Sequence, residues 1–378
     1  MDTSPGAPET SLRAALATAA RGLIERETLV DLVALGAVAG EHLLVIGPPG
    51  TAKSEAARRV SRALGLSYFE YLLGRFTEPT EIFGPIDLRK LQAGVVETVT
   101  AGMLPEAEIA FLDEVFLGST AILNTLLAIL NERTFRRGQT AVRCPLRLCI
   151  GASNAIPEDE SLAAFADRFL LRSFLRPLPD PRLEELLEGG FALATTKATA
   201  GATAADLDAL SARARDADLA PVRPTLAHAL RLLRKEGIVL SDRRAVRSQR
   251  VIAAAAALSG RSTPTTADLW PLVYVVPTED GQRLARDVLR DLLAESESTS
   301  LAAAAEEASR GPRARAMRIE ADARTLLAAT AVEQSSPAFR LKLEGALREM
   351  DAGFTDESRP ASLTAARDAV IAALGTPS

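Results

Sequence analysis

The sequence predicts an α/β fold with a parallel sheet, followed by a long all-helical region. Four short apolar runs are separated by segments with apolar residues at helical spacing, and these runs lie at residues 43–46, 67–73, 109–116 and 146–154. Strands that alternate with helices in this way build a parallel sheet with right-handed crossovers. After residue 180 the chain changes to Ala- and Leu-rich segments that predict helices only.

The first predicted strand leads into a loop typical of phosphate binding. Residues 43–54 read LLVIGPPGTAKS, which is a strand, a Gly/Pro turn and the start of a helix. The N–H groups of such a turn surround one anion, Lys53 would reach the β- and γ-phosphates, and the Ser54 hydroxyl would bind Mg²⁺. Ala52 replaces the usual glycine, so a strand-to-helix turn with an exposed lysine is the alternative. The candidate nucleotide-binding residues here are Gly47, Pro48, Pro49, Gly50, Thr51, Ala52, Lys53 and Ser54.

Two acidic residues and an asparagine follow the later strands. Asp113 and Glu114 are adjacent, and neighbouring side chains of a strand point to opposite sides, so we expect two roles. Asp113 would join Ser54 around Mg²⁺, and Glu114 would polarise the attacking water. Asn154 could orient that water or contact the γ-phosphate. The alternatives are an acidic helix cap and a turn asparagine. Because strand carboxyl ends meet at one edge of a parallel sheet, these residues are expected to converge there.

Two arginines are candidates for stabilising transition-state charge. Arg168, in ADRF, could project into the nucleotide of a neighbouring subunit. Arg243, in the first turn of a predicted helix that Ser241 caps, could touch the γ-phosphate of its own chain. Arg244 is the competitor for that role. A surface ion pair is the alternative for each of these arginines.

Composition excludes several classes of function. The 378 residues carry a net charge of −5, which disfavours nucleic acid as the main partner. Two cysteines and two histidines leave no disulfide framework, no His-rich metal site and no Ser-His-Asp chemistry. No stretch is long and apolar enough to cross a membrane, and the amino terminus lacks the pattern of a signal peptide. We therefore expect a cytoplasmic protein.

The chain is expected to have four parts. Residues 1–10 predict a flexible tail, and residues 11–178 an α/β nucleotide-binding core. Within this core, hairpins are predicted at about residues 86–100, turning at Ala93-Gly94, and around Arg137-Gly138. Residues 179–275 predict an all-α lid, and residues 276–378 a helical carboxy-terminal extension.

Several segments are shared with one protein family. They read LLVIGPPGTAKS, EIFGPI, LPEAEIAFLDEVF, STAILNTLLAILNERTFRRG, IGASN, ADRFLLR and SDRR. Together they resemble the MoxR family of AAA+ ATPases, and within it the branch of the regulatory ATPase variant proteins, over about residues 10–275. The resemblance implies an AAA+ P-loop NTPase core followed by a lid, and it does not cover the carboxy-terminal extension at residues 276–378. In that family alanine also occurs at the position of Ala52.

The resemblance also implies a role for each candidate residue. Lys53 and Ser54 match the Walker A pair, and Asp113 and Glu114 match the Walker B pair. Asn154 matches sensor 1. Arg168 matches the arginine finger, which acts in trans, and Arg243 matches sensor 2. Residues 24–27 match the adenine-side segment, and residues 86–100 match the helix-2 insert.

The expected function is Mg-dependent ATP hydrolysis by a homo-oligomer, a hexameric ring, with ATP and Mg²⁺ as cofactors. By resemblance, the partner is a von Willebrand factor A (vWA) domain protein, and the ring remodels or matures a protein in the manner of a chaperone. One rival is a nucleic-acid motor or loader of the same clade, which needs a basic, aromatic-bearing channel. The other rival is a nucleotide-gated scaffold that does not hydrolyse ATP; the presence of both Glu114 and Arg168 argues against it.

Overall fold

A five-stranded parallel sheet forms the centre of the protein. The computed structural model describes residues 7–178, 201–328, 337–355 and 359–375, together with Leu187. The sheet has the order β2-β3-β6-β1-β7, with parallel pairing throughout. Its strands are β1 (Leu43–Ile46), β2 (Tyr68–Leu72), β3 (Ile109–Asp113), β6 (Leu148–Ser153) and β7 (Leu171–Phe174), and a separate hairpin comprises β4 (Thr134–Arg137) and β5 (Thr140–Arg143). The predicted α/β class is confirmed.

Two strands differ from the sequence-based expectation. The expected buried strand β2 lies at the edge of the sheet, and its residues are half-buried or exposed. An edge strand has a neighbour on one side only, so the run of apolar letters overstated the burial of β2. Strand β7 was not predicted. It pairs with β1, the strand that carries the phosphate loop, and completes the other edge.

Helices pack on both faces of the sheet. They are α1 (Pro8–Ala20), α2 (Glu27–Ala39), α3 (Lys53–Ala63), α4 (Pro79–Phe83), α5 (Leu88–Gln92), α6 (Thr120–Glu132) and α7 (Glu160–Ala166). Helix α1 already begins at Pro8, so the last residues of the predicted 1–10 tail are helical, while residues 1–6 lie outside the described residues. The apolar side chains of α1, α2 and α3 form one large core, and α6 packs on the opposite face.

The predicted insert at residues 86–100 is a hairpin only at its base. Ile86 and Thr98 form an antiparallel bridge, and the Val99 N–H donates to the Pro85 oxygen at 2.8 Å. Between Ile86 and Thr98 the chain forms the short helix α5, where strand was expected. The helix forms for a local reason, because the Asp87 carboxylate caps its first turn by accepting from two backbone N–H groups. The second predicted hairpin, around Arg137-Gly138, is confirmed as β4–β5.

The remainder of the described chain is helical, as predicted. It comprises α8 (Ala204–Arg215), α9 (Arg223–Lys235), α10 (Asp242–Leu258), α11 (Leu272–Val275), α12 (Glu279–Val288), α13 (Arg290–Leu293), α14 (Ala302–Ser309), α15 (Pro312–Leu327), α16 (Pro337–Gly353) and α17 (Ala361–Gly375). Of the predicted lid at residues 179–275, residues 179–186 and 188–200 lie outside the described residues. In the described residues, no helix is long and apolar enough to cross a membrane.

The carboxy-terminal extension is attached to the core through α14. Helix α14 packs on α2, and the Ala304 N–H donates to Oδ2 of the buried Asp31 at 3.0 Å. Burial raises the pKa of Asp31 to about 8. The main apolar core continues across residue 275 as far as Ala314, whereas α15, α16 and α17 share a smaller core of their own. Residues on both sides of the expected 275/276 boundary therefore stabilise the same core.

Candidate functional site

The phosphate loop lies between β1 and α3. The Gly47 N–H donates to the Ser153 oxygen at 3.0 Å, which fixes the loop against β6. A Cβ at Gly47 would lie 2.8 Å from the Leu175 oxygen, so only glycine fits there. Ala52 has φ +59°, ψ +27° and immediately precedes α3. This left-handed conformation explains why glycine is usual at the position, and an alanine costs about 1 kcal/mol there.

Lys53 begins α3 and lies over the loop. Its Nζ donates to the Gly47 oxygen at 2.6 Å and to the Pro48 oxygen at 3.2 Å. Burial lowers the pKa of Lys53, and the nearby charges of Asp113 and Glu114 oppose that shift. These charges act on Lys53 because the ends of β1 and β3 lie at the same edge of the sheet. The cation, the loop and the two carboxylates therefore lie close together at the carboxyl edge of the sheet.

Glu114 and Asn154 are in direct contact. The Asn154 Nδ2 donates to Glu114 Oε1 at 2.7 Å, across the end of the paired strands β3 and β6. Glu114 adopts φ +48°, an unusual backbone conformation for a non-glycine residue, and such conformations concentrate at functional sites. The preceding Asp113 accepts the Glu114 N–H at 3.0 Å. Asn154 thus holds one Glu114 oxygen in place at the edge of the sheet.

The residues that could hold Mg²⁺ are Ser54 and Asp113. Ser54 is in the first turn of α3 and Asp113 ends β3, so a hydroxyl and a carboxylate are available at this edge. Both are hard oxygen ligands of the type that Mg²⁺ prefers, and Mg²⁺ commonly takes its other ligands from water and substrate phosphates. The described residues contain no group of three or more His, Cys, Asp or Glu side chains arranged for a metal. A site completed by phosphate oxygens fits that donor set.

Arg244 is buried, and its side chain fixes the start of α10 to the residues before β7. Its side chain is only 2% exposed, and its NH1 donates to Asp167 Oδ1 at 3.0 Å. It also donates to the backbone oxygens of Phe169, Leu170 and Val275. Burial is the main cause that lowers the pKa of Arg244. Because Arg244 is buried and makes four hydrogen bonds within the fold, Arg243 is the better candidate of the two arginines for contact with a nucleotide.

Arg243 and Arg168 lie close to that anchor. Arg243 is exposed, and no hydrogen bond or ion pair of its side chain occurs within the described residues. Arg168 lies between Asp167 and Phe169, both of which contact Arg244, and its Nε has no hydrogen-bond partner within the described part of the chain. The start of α10, which carries Arg243, is therefore fixed to the segment that carries Arg168.

Arg26 is a residue whose contacts the sequence did not predict. Its Nε donates to the Thr51 oxygen at 2.9 Å, and its NH2 donates to the Arg176 oxygen at 2.9 Å. It therefore ties the segment at residues 24–27 to both the phosphate loop and the end of β7. The resemblance placed this segment on the adenine side. No local pattern could have indicated the contact, since its partners are distant in sequence.

The fold and this edge of the sheet define the class of protein, a P-loop AAA+ ATPase. A family profile described as the MoxR domain of MoxR–vWA–β-propeller ternary systems matches residues 10–212, and an AAA lid profile matches residues 219–285. The chain therefore belongs to the MoxR family. Neither profile names the regulatory ATPase variant branch, which remains a prediction.

Individual relatives agree with this assignment. The chain is similar to two uncharacterized proteins of Methanocaldococcus jannaschii, each 35% identical, over 65% and 67% of this chain and 66% of each relative. A structural protein of Acidianus two-tailed virus is 31% identical over 42% of this chain and 27% of its own length. The matched part thus spans slightly less than two thirds of the archaeal relatives.

Solved structures share the fold. A protein of Cytophaga hutchinsonii described as a candidate ATPase superimposes with a TM-score of 0.62 and 15% identity, over 77% of this chain and 96% of its own. A full-length MCM homologue from Methanopyrus kandleri has a TM-score of 0.50 and 17% identity, over 75% of this chain and 63% of its own. At such identities the likeness concerns the fold alone.

Proposed function

We propose that the protein binds ATP with Mg²⁺ and hydrolyses it to ADP and phosphate at the carboxyl edge of the sheet. The observation that carries this proposal is the Asn154–Glu114 hydrogen bond of 2.7 Å, at the same edge as Lys53. A carboxylate with a purely structural role is normally buried and paired with a cationic side chain. Glu114 is instead held by a neutral amide, which orients the carboxylate without removing its charge.

Each residue then has a separate task. The loop N–H groups and Lys53 bind the phosphates, with Lys53 exchanging the loop carbonyls for phosphate oxygens. Ser54 and Asp113 hold Mg²⁺, which neutralises charge on the phosphates. Glu114 accepts a hydrogen bond from the water that attacks the terminal phosphorus, and Asn154 fixes the direction of that carboxylate. The bond to the ADP oxygen breaks as the new phosphorus–oxygen bond forms.

Replacement of Glu114 tests the hydrolytic step separately from binding. Glu114→Gln should keep ATP affinity within a few fold, because the loop is intact, and lower turnover by at least ~100-fold. Glu132→Gln, an exposed glutamate at the end of α6, is the matched control and should keep full turnover. Phosphate release and nucleotide binding would both be measured. Sustained turnover by Glu114→Gln would remove Glu114 from this role.

We further propose that the site is shared between two copies of the chain. Arg168 is placed next to Asp167, and Asp167 is held by the buried Arg244, so the arginine is supported by packed structure. An arginine that acts on a neighbour's nucleotide requires head-to-tail contacts, which generate rings or spirals. A hexameric ring is the arrangement that the family resemblance favours. The exposed Arg243 would instead act within its own chain, by contacting the γ-phosphate bound at that chain's loop.

The partner that we propose is a vWA-domain protein. The matching profile describes MoxR domains that occur in MoxR–vWA–β-propeller ternary systems. In this cytoplasmic assembly, ATP turnover would drive remodelling or maturation of a bound protein, in the manner of a chaperone. Co-purification of the full chain with a vWA protein, dependent on ATP and weakened by Lys53→Ala, would support the partner class. The nucleic-acid alternative is not favoured by the net charge of −5.

A further inference from the structure

A cavity lies at the amino edge of the central sheet, on the side opposite the phosphate loop. It has a volume of about 700 Å³ and includes Gly40, Glu108 and Arg147, which precede β1, β3 and β6 respectively. Because these strands are parallel, their amino ends face away from the phosphate loop. Residues of α8 and α10 form the other wall of the cavity. We call it the arginine cavity.

Positive charge dominates the lining of the arginine cavity. The lining, all of it within the described residues, contains a single acidic residue, Glu108. Its basic residues are Arg133, Arg143, Arg147, Arg215, Arg247 and Arg250. Like charges repel when they converge on one concave surface, so such a cavity has a strongly positive potential and attracts anions.

Neighbouring carboxylates neutralise only part of this charge. Glu41, which is fully buried, lies 3.4 Å from a nitrogen of Arg247 and 3.0 Å from one of Arg250. Arg147 is paired with Glu108 at 3.2 Å and with Asp208 at 2.6 Å. These are three carboxylates against six guanidinium groups.

The other three arginines have no carboxylate partner. Arg133 donates to the backbone oxygens of Leu130, Gly40 and Arg147, which uses its donors without cancelling its charge. Arg143 and Arg215 are exposed, and within the described residues neither makes a side-chain hydrogen bond or an ion pair. Their donors remain available to a ligand.

A buried hydroxyl indicates a ligand independently of the charges. Ser211 of α8 is 8% exposed and lines the cavity, yet its Oγ has no hydrogen-bond partner within the described part of the chain. A buried hydroxyl without a partner costs about 1–3 kcal/mol. An acceptor oxygen in the cavity would satisfy this group.

We propose that the arginine cavity binds a compact polyphosphate anion, either inorganic or part of a nucleotide. The volume suits a small molecule, and guanidinium groups form paired, charge-assisted hydrogen bonds with phosphate oxygens. Arg143 and Arg147 belong to the α/β core, whereas Arg215, Arg250 and Ser211 belong to helices α8 and α10. The anion therefore bridges the core and the lid and stabilises their contact.

The test uses the full chain with Lys53→Ala, which weakens phosphate binding at the loop. Inorganic tripolyphosphate, without Mg²⁺, should raise its Tm and give a saturable heat of binding, because a ligand of the folded state stabilises that state. Arg143→Glu or Arg215→Glu should each weaken this binding at least ~10-fold, since each replaces an attraction by a repulsion. Both residues are exposed, so these variants are expected to fold.

Arg231→Glu is the matched control, since it makes the same charge change at an exposed arginine of α9 that does not line the cavity. Equal affinity in the cavity variants and the control would overturn the proposal, as would no binding at all. Ser211→Ala adds a test in which charge is unchanged, and it should weaken binding ~5-fold by removing one donor.

Two further ligands identify the source of the phosphate. Guanosine triphosphate that binds more tightly than tripolyphosphate in the same variant would assign the cavity to a nucleotide, and the reverse order would assign it to inorganic polyphosphate. Either order supports a polyphosphate site, provided that Arg215→Glu weakens the binding. Single-stranded DNA that binds through these arginines, with no binding of tripolyphosphate, would contradict the proposal.

Discussion

At the carboxyl edge of the central sheet, the half-buried Glu114 and the exposed Asn154 are hydrogen-bonded to each other, whereas at the amino edge His42 and Glu41 are fully buried. His42 Nδ1 accepts the Cys149 N–H at 3.0 Å, and its Nε2 lies 3.0 Å from the Leu130 oxygen. Glu41 is paired with two arginines of α10. One sheet therefore presents polar groups for a ligand at one edge and uses them as structural anchors at the other.

This difference shows why residue type alone does not identify a functional group. Of the two histidines of the chain, His42 is buried and bonded to the backbone, so it is a structural residue. The polar side chains at the amino edge are more buried than those at the carboxyl edge, and they have more hydrogen-bond and ion-pair partners within the protein. The arginine cavity is the exception at the amino edge, because Arg143 and Arg215 remain unpaired within the described residues.

The largest difference between a structural group and a ligand-binding group is expected for Arg243 and Arg244, the adjacent arginines of α10. Arg244→Ala should lower the free energy of unfolding by about 2–4 kcal/mol, because it leaves Asp167 and three carbonyl oxygens without their donor. Arg243→Ala should change it by less than ~0.5 kcal/mol, as is usual for an exposed residue, and lower ATP turnover at least ~10-fold. Urea denaturation and phosphate release would be measured for both. Full turnover by Arg243→Ala, or equal destabilisation by both changes, would contradict the assignment.

A smaller effect is expected from His42 at the amino edge. Burial, followed by the charge of Arg133, places the pKa of His42 well below its usual value, so the folded protein keeps it neutral. In the unfolded chain it gains a proton below about pH 6.5, so the unfolded state binds more protons and stability falls as the pH is lowered. This loss amounts to at most ~1.4 kcal/mol per pH unit. It is absent above about pH 6.5, where His42 is neutral in both the folded and the unfolded state.

His42→Asn should remove that pH dependence while keeping an acceptor for the Cys149 N–H. Denaturation of both proteins between pH 5 and pH 7.5 would compare the slopes, since the absolute stability also changes with side-chain size. A steeper loss of stability at low pH in the wild-type protein is the predicted result. Identical slopes would show that His42 is not held neutral.

The sequence predicted most of the fold because its signals are local. The strands β1, β3 and β6 are apolar runs, and a candidate site residue ends each strand or follows it directly, so the convergence at the carboxyl edge followed from topology. Ala52 looked like a departure, but its left-handed backbone shows that it occupies the glycine position without changing the loop. The family resemblance also implied that alanine is tolerated at the position of Ala52.

The parts that were missed depend on distant contacts or on local competition. Strand β7 is four residues long and is defined by its pairing with β1. Helix α5 replaced an expected strand because Asp87 caps it. The choice between Arg243 and Arg244 could not be made from two identical letters, since it depends on which one faces the residues around Asp167.

The shared site is the central claim, and mixing two inactive chains tests it most directly. Lys53→Ala lacks the lysine proposed to bind the phosphates, and Arg168→Ala lacks the arginine proposed to act on a neighbour. Each protein alone should be inactive, but an equal mixture should recover about a quarter of wild-type turnover, because random assembly places an intact loop opposite an intact Arg168 at that fraction of contacts. A mixture of Lys53→Ala with Glu114→Gln is the control and should stay inactive. Each of these two chains lacks a residue in the half of the site that binds the nucleotide, so an intact Arg168 from the neighbour cannot restore it. Recovery in the first mixture alone is the result that the shared site predicts, and no recovery there would contradict it.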